Sequence, residues 1–205
     1  LQSIFIDSSW LDKCKKMKID WEIINENKNF YQYEGISIYH VMEELNKSKY
    51  DNCNFVLDAG SISYVGPTAL KYKKNRNFIF SPAQADMGCA LPCALGVAAS
   101  SKKRTVCVTG DGSLMSNLQE LATLSYHNYD LTVILLNNEG YLSISNTQKN
   151  NYGSNRVFGE HNGRGLLFPK YKQLCDAFNI SYKSIHNIKD LGIFTDKSLK
   201  FINVN

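Results

Sequence analysis

Two short loops in the sequence combine glycine with oxygen-rich side chains. The first is Gly110-Asp111-Gly112-Ser113, and the second is Asn137-Asn138-Glu139-Gly140. Glycine lets the backbone approach an anion closely, and carboxylate and carbonyl oxygens are ligands for Mg²⁺, which usually completes its shell with phosphate oxygens. Either loop alone would most often be an ordinary turn. Together they predict a site for Mg²⁺ and a phosphate group.

Each of these loops directly follows an apolar run, residues 105–108 before the first and Leu131–Leu136 before the second. Near-continuous apolar strands are typical of a parallel sheet that is covered on both faces. Ligands of such sheets bind at the carboxyl ends of the strands. If the two strands are neighbours, the crossover between them returns both loops to the same edge, and Asp111 and Asn138 lie close together.

The rest of the chain alternates in the same way between strand and helix patterns. Further apolar runs predict strands at 54–57, 78–80, 181–185 and 201–204. Helical spacing predicts helices at 38–45 with Ser37 as N-cap, at 69–73, 87–100 and 114–122, and from about Pro169 to Phe178. This alternation predicts an α/β fold with a doubly wound, mostly parallel six-stranded sheet and helices on both faces.

Composition limits the classes of function. The 205 residues carry a net charge of +4, and the positive charges occur in short, scattered runs. This pattern disfavours a dedicated nucleic-acid-binding module. No apolar run approaches the roughly 20 residues that span a bilayer. The six cysteines form no CxxC pair, which disfavours zinc or disulfide sites and favours a reducing, cytoplasmic compartment. Cys89 and Cys93 are predicted to pack together in a core.

The chain divides at about residue 35. Residues 1–34 are polar and rich in Lys and Asn, and they are predicted to form a linker arm from a preceding domain. Residues 35–205 are predicted to form the domain itself, truncated at its C-terminus, because the sequence stops within an apparent strand. The irregular stretch 146–168, with Arg156 and Arg164, is predicted to be a functional loop that orders over a bound ligand.

With both loops, the sequence resembles the diphosphate-binding domain of thiamine-diphosphate enzymes, and among these the acetolactate synthase large-subunit group. The similarity rests on residues 110–113 with 117–123, and on residues 135–141. It extends upstream through Leu57-Asp58-Ala59-Gly60 and residues 86–92, and downstream through Phe168-Pro169 toward Phe201. The resemblance therefore covers about residues 35–205 and implies thiamine diphosphate and Mg²⁺ as cofactors.

By position, the resemblance implies that Asp111 and Asn138 give side-chain oxygens to Mg²⁺ and that Gly140 gives a main-chain carbonyl. The other cofactor-binding residues that it implies are Gly60, Ser61, Ala85, Met87, Gly110, Gly112, Ser113 and Tyr141. Gly112 and Ser113 would hold the diphosphate through backbone N–H and hydroxyl groups. Met87 would prop the cofactor in its bent conformation, although by itself it could equally be an ordinary core methionine.

Two of the departures from the family pattern bear on the site, and a third, Ser101 in place of a proline, is expected to have no consequence. Gly60-Ser61-Ile62 stands where many acetolactate synthases carry Gly-Gln-His, so polar contacts to the terminal phosphate are lost. Asp86 stands where the family usually has a small or hydroxyl residue, which adds an acid near the pyrimidine. The first change weakens any expectation that the substrates are the usual pair.

The resemblance implies an enzyme, a transferase or lyase, that acts on a 2-oxo acid such as pyruvate by decarboxylation with carboligation. In the family, the activating glutamate comes from a pyrimidine-binding domain, usually across a dimer interface, and no segment here resembles that domain. We therefore expect an incomplete catalyst with no catalytic residue of its own, which needs that domain on the same or another chain in a homodimer or higher oligomer.

Two alternatives remain open. The chain could be a natural subunit of a two-chain 2-oxo acid decarboxylase, of the sulfopyruvate decarboxylase kind. It could also be a non-catalytic, flavodoxin-like binding module in which the motif is vestigial.

Overall fold

Six parallel strands form the centre of the chain in a computed structural model that describes residues 7–22, 34–153, 159, 165–198 and 200–205. The strands are β1 (Cys53–Leu57), β2 (Asn77–Ile79), β3 (Arg104–Gly110), β4 (Leu131–Leu136), β5 (Tyr182–Ile185) and β6 (Phe201–Val204). Their order is β2-β1-β3-β4-β6-β5, with every neighbouring pair parallel. The predicted doubly wound sheet is confirmed.

Helices and short 3₁₀ turns connect these strands. The α-helices are α1 (Ser8–Asp20), α2 (Ile38–Leu45), α3 (Ser61–Ala69), α4 (Ala90–Ser100), α5 (Asp111–Leu114), α6 (Glu120–Tyr126), α7 (Leu142–Tyr152) and α8 (Tyr171–Ala177). The 3₁₀ segments are Ser48–Tyr50, Met115–Asn117 and Ile188–Thr195. At the start of α2, the Ser37 side chain accepts from the His40 N–H, as the predicted N-cap requires.

The sheet is covered on both faces, and each face has its own apolar core. One core joins the strands to α2, α3 and the segment Ile188–Thr195, and the other joins them to α4, α6 and α8. Val108 and Ile134 point into the first core, while Cys107 and Val133 point into the second. Because successive strand residues face opposite sides, a strand buried on both faces has the near-continuous apolar sequence that β3 and β4 show.

Three local predictions were wrong. The helix expected at 69–73 lies earlier, as α3, because Ile62 and Ala69 on its inner face pack into the first core. The expected single helix at 114–122 is broken into α5, a 3₁₀ turn and α6. Cys93 is exposed and Cys89 is half-buried, so these two thiols do not pack in a core.

The stretch 146–168 is not irregular throughout, because α7 continues to Tyr152. Arg156 and Arg164 lie outside the described residues, so the predicted ordering over a ligand stays a prediction. Within the predicted linker arm, residues 8–20 form α1, which has no buried residue. The domain boundary at residue 35 also stays a prediction. Among the described helices, none is long and apolar enough to cross a membrane.

Candidate functional site

The carboxyl ends of β1, β3 and β4 border a cleft of about 830 Å³. Gly110 of β3 lies opposite Leu136 of β4, so the two glycine-containing loops leave the sheet side by side. The strand order reverses between β1 and β3, which is where open α/β sheets bind ligands. The predicted site residues that line the cleft are Gly60, Ser61, Met87, Gly110, Asp111, Gly112, Ser113, Asn138, Gly140 and Tyr141.

Asp111 lies at the start of α5, and only 3% of its surface is exposed. Its Oδ1 accepts from the Gly112 N–H at 2.7 Å, and its Oδ2 accepts from the N–H groups of Asn138 at 3.2 Å and Gly140 at 3.1 Å. Burial raises the pKa of the Asp111 carboxyl, although these backbone hydrogen bonds oppose the shift. The loop after β4 is thus tied to the carboxylate that follows β3.

The surroundings of Asp111 suit a cation. None of its described hydrogen-bond partners carries a positive charge, so a buried, ionised Asp111 is only partly compensated. Within the described ranges, no three His, Cys, Asp or Glu side chains form a metal-binding group. A single carboxylate with amide and carbonyl oxygens fits Mg²⁺, which takes few protein ligands and completes its shell with phosphate and water.

Asn138 and Gly140 belong to the same tight turn. The Asn138 Oδ1 accepts from the Gly140 N–H at 3.2 Å, and this N–H is shared with the Asp111 Oδ2. Glu139, between them, has a φ of +58°, a left-handed conformation that bends the chain back toward β3. The side-chain oxygens of Asp111 and Asn138 therefore meet around one N–H group. Their roles as metal ligands stay a prediction.

Gly112 and Tyr141 lie in close contact at the floor of the cleft. A Cβ atom on Gly112 would lie 2.2 Å from the Tyr141 Cε1, so only glycine permits this approach. The Gly112 N–H already donates to Asp111, whereas the Ser113 hydroxyl has no partner among the described residues. Ser113 is therefore better prepared than Gly112 to donate a hydrogen bond to a ligand.

Gly60 and Ser61 form the β1 side of the cleft, where the chain turns into α3. Gly60 has a φ of +69°, which favours glycine, and space is open where its Cβ would be. At the start of α3, the Ser63 N–H donates to the Gly60 carbonyl at 3.1 Å, whereas the N–H groups of Ser61 and Ile62 have no hydrogen-bond partner among the described residues. Gly60 and Ser61 stay predicted diphosphate contacts.

Met87 lies on a turn that is fixed on both sides. The N–H of the next residue, Gly88, donates to the Asp58 Oδ1 at 2.9 Å, and the Gly88 carbonyl accepts from the Asn117 amide at 2.9 Å. Met87 itself is 42% exposed and lines the cleft. It is therefore not a core methionine in the described structure, and its role as a prop stays a prediction.

Ala85 is the one predicted site residue that does not line the cleft. It has a φ of +52° within a turn that is closed by its N–H to the Ser81 carbonyl and by the Ser81 hydroxyl to the Asp86 carboxylate. Asp86, the family departure, therefore closes this turn. The implied role of Ala85 as a cofactor-binding residue stays a prediction.

Sequence reasoning missed two parts of the site. Asp58 was noted only as part of the resemblance, yet it is 1% exposed and joins three segments around the cleft. The sequence pattern that could have identified Asp58 is the same as for Asp111, an acidic residue directly after a buried strand. The segments 36–39 and 204–205 also line the cleft, but their apolar residues resemble core residues in the sequence.

Comparisons with known proteins agree with this geometry. Residues 58–200 match the family model described as "Thiamine pyrophosphate enzyme, C-terminal TPP binding domain". The acetolactate synthase isozyme 1 large subunit of Escherichia coli (strain K12) is 32% identical over 144 residues, which are 68% of this chain and 24% of that relative. The acetolactate synthase large subunit of Porphyra purpurea is 23% identical over 194 residues, which are 94% of this chain and 31% of that relative. The chain thus spans less than a third of the length of these relatives.

Proposed function

The chain belongs to the C-terminal TPP-binding domain family of the thiamine pyrophosphate enzymes, and we propose that its cleft holds the cofactor's diphosphate through Mg²⁺. The observation that carries this proposal is the meeting of the Asp111 and Asn138 side chains around the Gly140 N–H. Asp111 is buried and Asn138 is exposed, and neither side chain has a described cationic partner. At adjacent strand ends, their two oxygens would supply part of a cation shell. Phosphate oxygens would complete it.

In this proposal, the cleft residues bind either the cation or the diphosphate. Asp111 and Asn138 bind the cation with their side-chain oxygens, and the Gly140 carbonyl adds a third oxygen. Ser113 donates its free hydroxyl to the diphosphate, with the first N–H groups of α3 on the opposite side. When bound, thiamine diphosphate supplies a carbon nucleophile for the carbonyl of a 2-oxo acid and an electron sink after carbon dioxide leaves.

We further propose that the complete protein acts on a 2-oxo acid such as pyruvate, by decarboxylation with carboligation. The support is that several relatives are named acetolactate synthase large subunits. Because the chain spans only part of their length, this activity is a property of the longer protein. The six described cysteines are all free, which supports a reducing, cytoplasmic location.

A partner that covers the cleft is also part of the proposal. Met87, Leu142 and Ile144 line the cleft and are 42%, 52% and 47% exposed, so its mouth is apolar and open. A pyrimidine-binding domain, from this chain or from a second copy in a homodimer, would bury these side chains and bring the activating glutamate.

Calorimetry with thiamine diphosphate tests the cofactor proposal. We expect binding in the presence of Mg²⁺ and none in its absence, with a pyrimidine-binding domain present. Asp111→Asn should weaken binding at least about 100-fold, because an amide cannot replace a carboxylate as the charged ligand. Asp176→Asn is the matched control, since Asp176 pairs with Lys172 on the surface of α8. Equal binding with and without Mg²⁺ would show that the metal assignment is wrong, and no binding at all would favour a vestigial motif.

A further inference from the structure

Asp58 is a buried carboxylate next to Ala59 and Gly60, which line the cleft. It directly follows β1, and its own N–H continues the sheet by donating to the Val108 carbonyl at 3.0 Å. Its Oδ1 accepts from the N–H groups of Ala59 at 2.8 Å and Gly88 at 2.9 Å, and its Oδ2 accepts from the Thr109 hydroxyl at 2.7 Å. One side chain thus gathers donors from three separate segments.

Two of these segments carry opposite ends of the candidate site. Gly88 follows Met87, on the side where the pyrimidine is expected, and its φ of +82° shows that the turn depends on glycine. Thr109 precedes Gly110 and Asp111, on the side where the metal is expected. Asp58 lies at the point where the strand order reverses, between β1 and β3. Its two oxygens therefore link the Met87 turn directly to the end of β3.

We propose that Asp58 is a positioning residue that fixes the separation between the Met87 turn and the Asp111 loop. This inference rests on the proposed function, since the separation matters for a ligand that contacts both ends. Without the carboxylate, the Gly88 N–H and the Thr109 hydroxyl lose their shared acceptor, and Gly88 keeps, among the described hydrogen bonds, the one that its carbonyl accepts from the Asn117 side-chain amide. A ligand that contacts only the Asp111 loop should not depend on this link.

The test compares two ligands in the presence of Mg²⁺. Thiamine diphosphate reaches both ends of the cleft, whereas inorganic pyrophosphate reaches only the metal end. In Asp58→Ala, we expect the Kd for thiamine diphosphate to rise about tenfold or more, because the Met87 turn loses its hydrogen bond to a charged group and is no longer held at a fixed distance from the end of β3. The Kd for pyrophosphate should stay within about twofold. Equal weakening of both ligands, or no weakening of either, would overturn the proposal.

Thr109→Val provides a second variant that keeps the side-chain shape and removes only the hydroxyl that binds Asp58. We expect the same selectivity, with about a threefold or larger rise in the Kd for thiamine diphosphate. Thr105→Val, at the other end of β3, is the matched control and should change neither Kd, because Thr105 bonds only to Asn54 among the described side chains.

Asp58→Asn should restore binding to within about threefold of the parent, since an amide oxygen still accepts from Ala59 and Gly88. Failure of Asp58→Asn to restore binding would contradict positioning by these hydrogen bonds.

A ligand-free measurement separates this proposal from the proposed function. In hydrogen exchange, the Gly88 amide should exchange at least about tenfold faster in Asp58→Ala or Thr109→Val than in the parent. The Val133 amide, which donates to the Lys200 carbonyl in the sheet, should not change. If the parent binds neither ligand but Gly88 exchange responds, the proposed function fails and the link stands. Unchanged Gly88 exchange in both variants would overturn the link.

Discussion

At the scale of single residues, the site depends on atoms that approach unusually closely. Gly112 leaves room for the Tyr141 ring, and Gly88 leaves room for the Ser113 carbonyl, which would lie 2.7 Å from an added Cβ. Both glycines therefore let a neighbouring loop approach closely, through a side-chain ring at Gly112 and through backbone at Gly88. The effect of a missing side chain on stability can be measured by adding one methyl group, that is, by substituting the glycine with alanine.

Gly112→Ala should destabilise the protein by about 1–3 kcal/mol, because the new methyl group overlaps the Tyr141 ring. In a Tyr141→Ala background, the same substitution should cost at least about 1 kcal/mol less, since the ring is gone. Urea unfolding of the parent, both single variants and the double variant measures this coupling. Additive costs would mean that the contact does not constrain the loop.

The closeness of Asp111 and Asn138 could be predicted from the sequence, because each stands at the end of a long apolar strand. The links through Asp58 could not. They require β1 to pair with β3, and they require Gly88 to return to the same edge after β2. The spacing of residues along the sequence predicts neither of these two features.

At the scale of elements, the strands were predictable from their apolar runs, and α2 was predictable from the helical spacing of its apolar residues. The position of α3 was not, because Gly66 and Pro67 lie inside it and both residues disfavour helix interiors. Gly66 is explained by the packing of α3 on β1, since a Cβ there would lie 2.6 Å from the Leu57 Cδ1. Tertiary packing thus outweighs local propensity in this helix.

Glu44, near the end of α2, pairs with two lysines in the turn before β1. These ion pairs should make the free energy of unfolding depend on pH. Glu44 is 5% exposed, and its carboxylate pairs with Lys47 and with Lys49, the latter at 2.6 Å. Burial would raise the pKa of this carboxyl, but the two lysines outweigh burial and lower the pKa below its ordinary value. This stabilisation is fully present above the unfolded-state pKa, near 4.5, and is lost as the pH falls through the lower folded-state pKa.

Glu44→Gln should therefore reduce the free energy of unfolding by about 1–2 kcal/mol at pH 7. The difference from the parent should shrink as the pH falls below about 4.5, because the parent carboxyl then becomes protonated. Urea unfolding across this range measures both values. Glu43→Gln is the control and should change stability by less than about 0.5 kcal/mol, since Glu43 forms no ion pair in the part of the chain that the structure describes. A pH-independent cost of Glu44→Gln would contradict this account.

At the scale of the whole molecule, the order of the strands explains why the candidate ligand-binding residues line one cleft. The chain runs from β1 outward to β2, returns to β3 and continues to the other edge, so the loops after β1 and β3 diverge and leave a crevice. The alternation of strands and helices was sufficient to predict this architecture. The apolar mouth formed by Met87, Leu142 and Ile144 was not predictable, because exposure depends on which surfaces the fold leaves uncovered.

The central claim is that one divalent cation is held between the ends of β3 and β4. Manganese can replace magnesium and can be located by its anomalous X-ray scattering in crystals grown with thiamine diphosphate. We predict a single strong peak within coordination distance of the side-chain oxygens of Asp111 and Asn138, beside the diphosphate. Bound cofactor with no peak there, or with the peak at another position, would contradict the account.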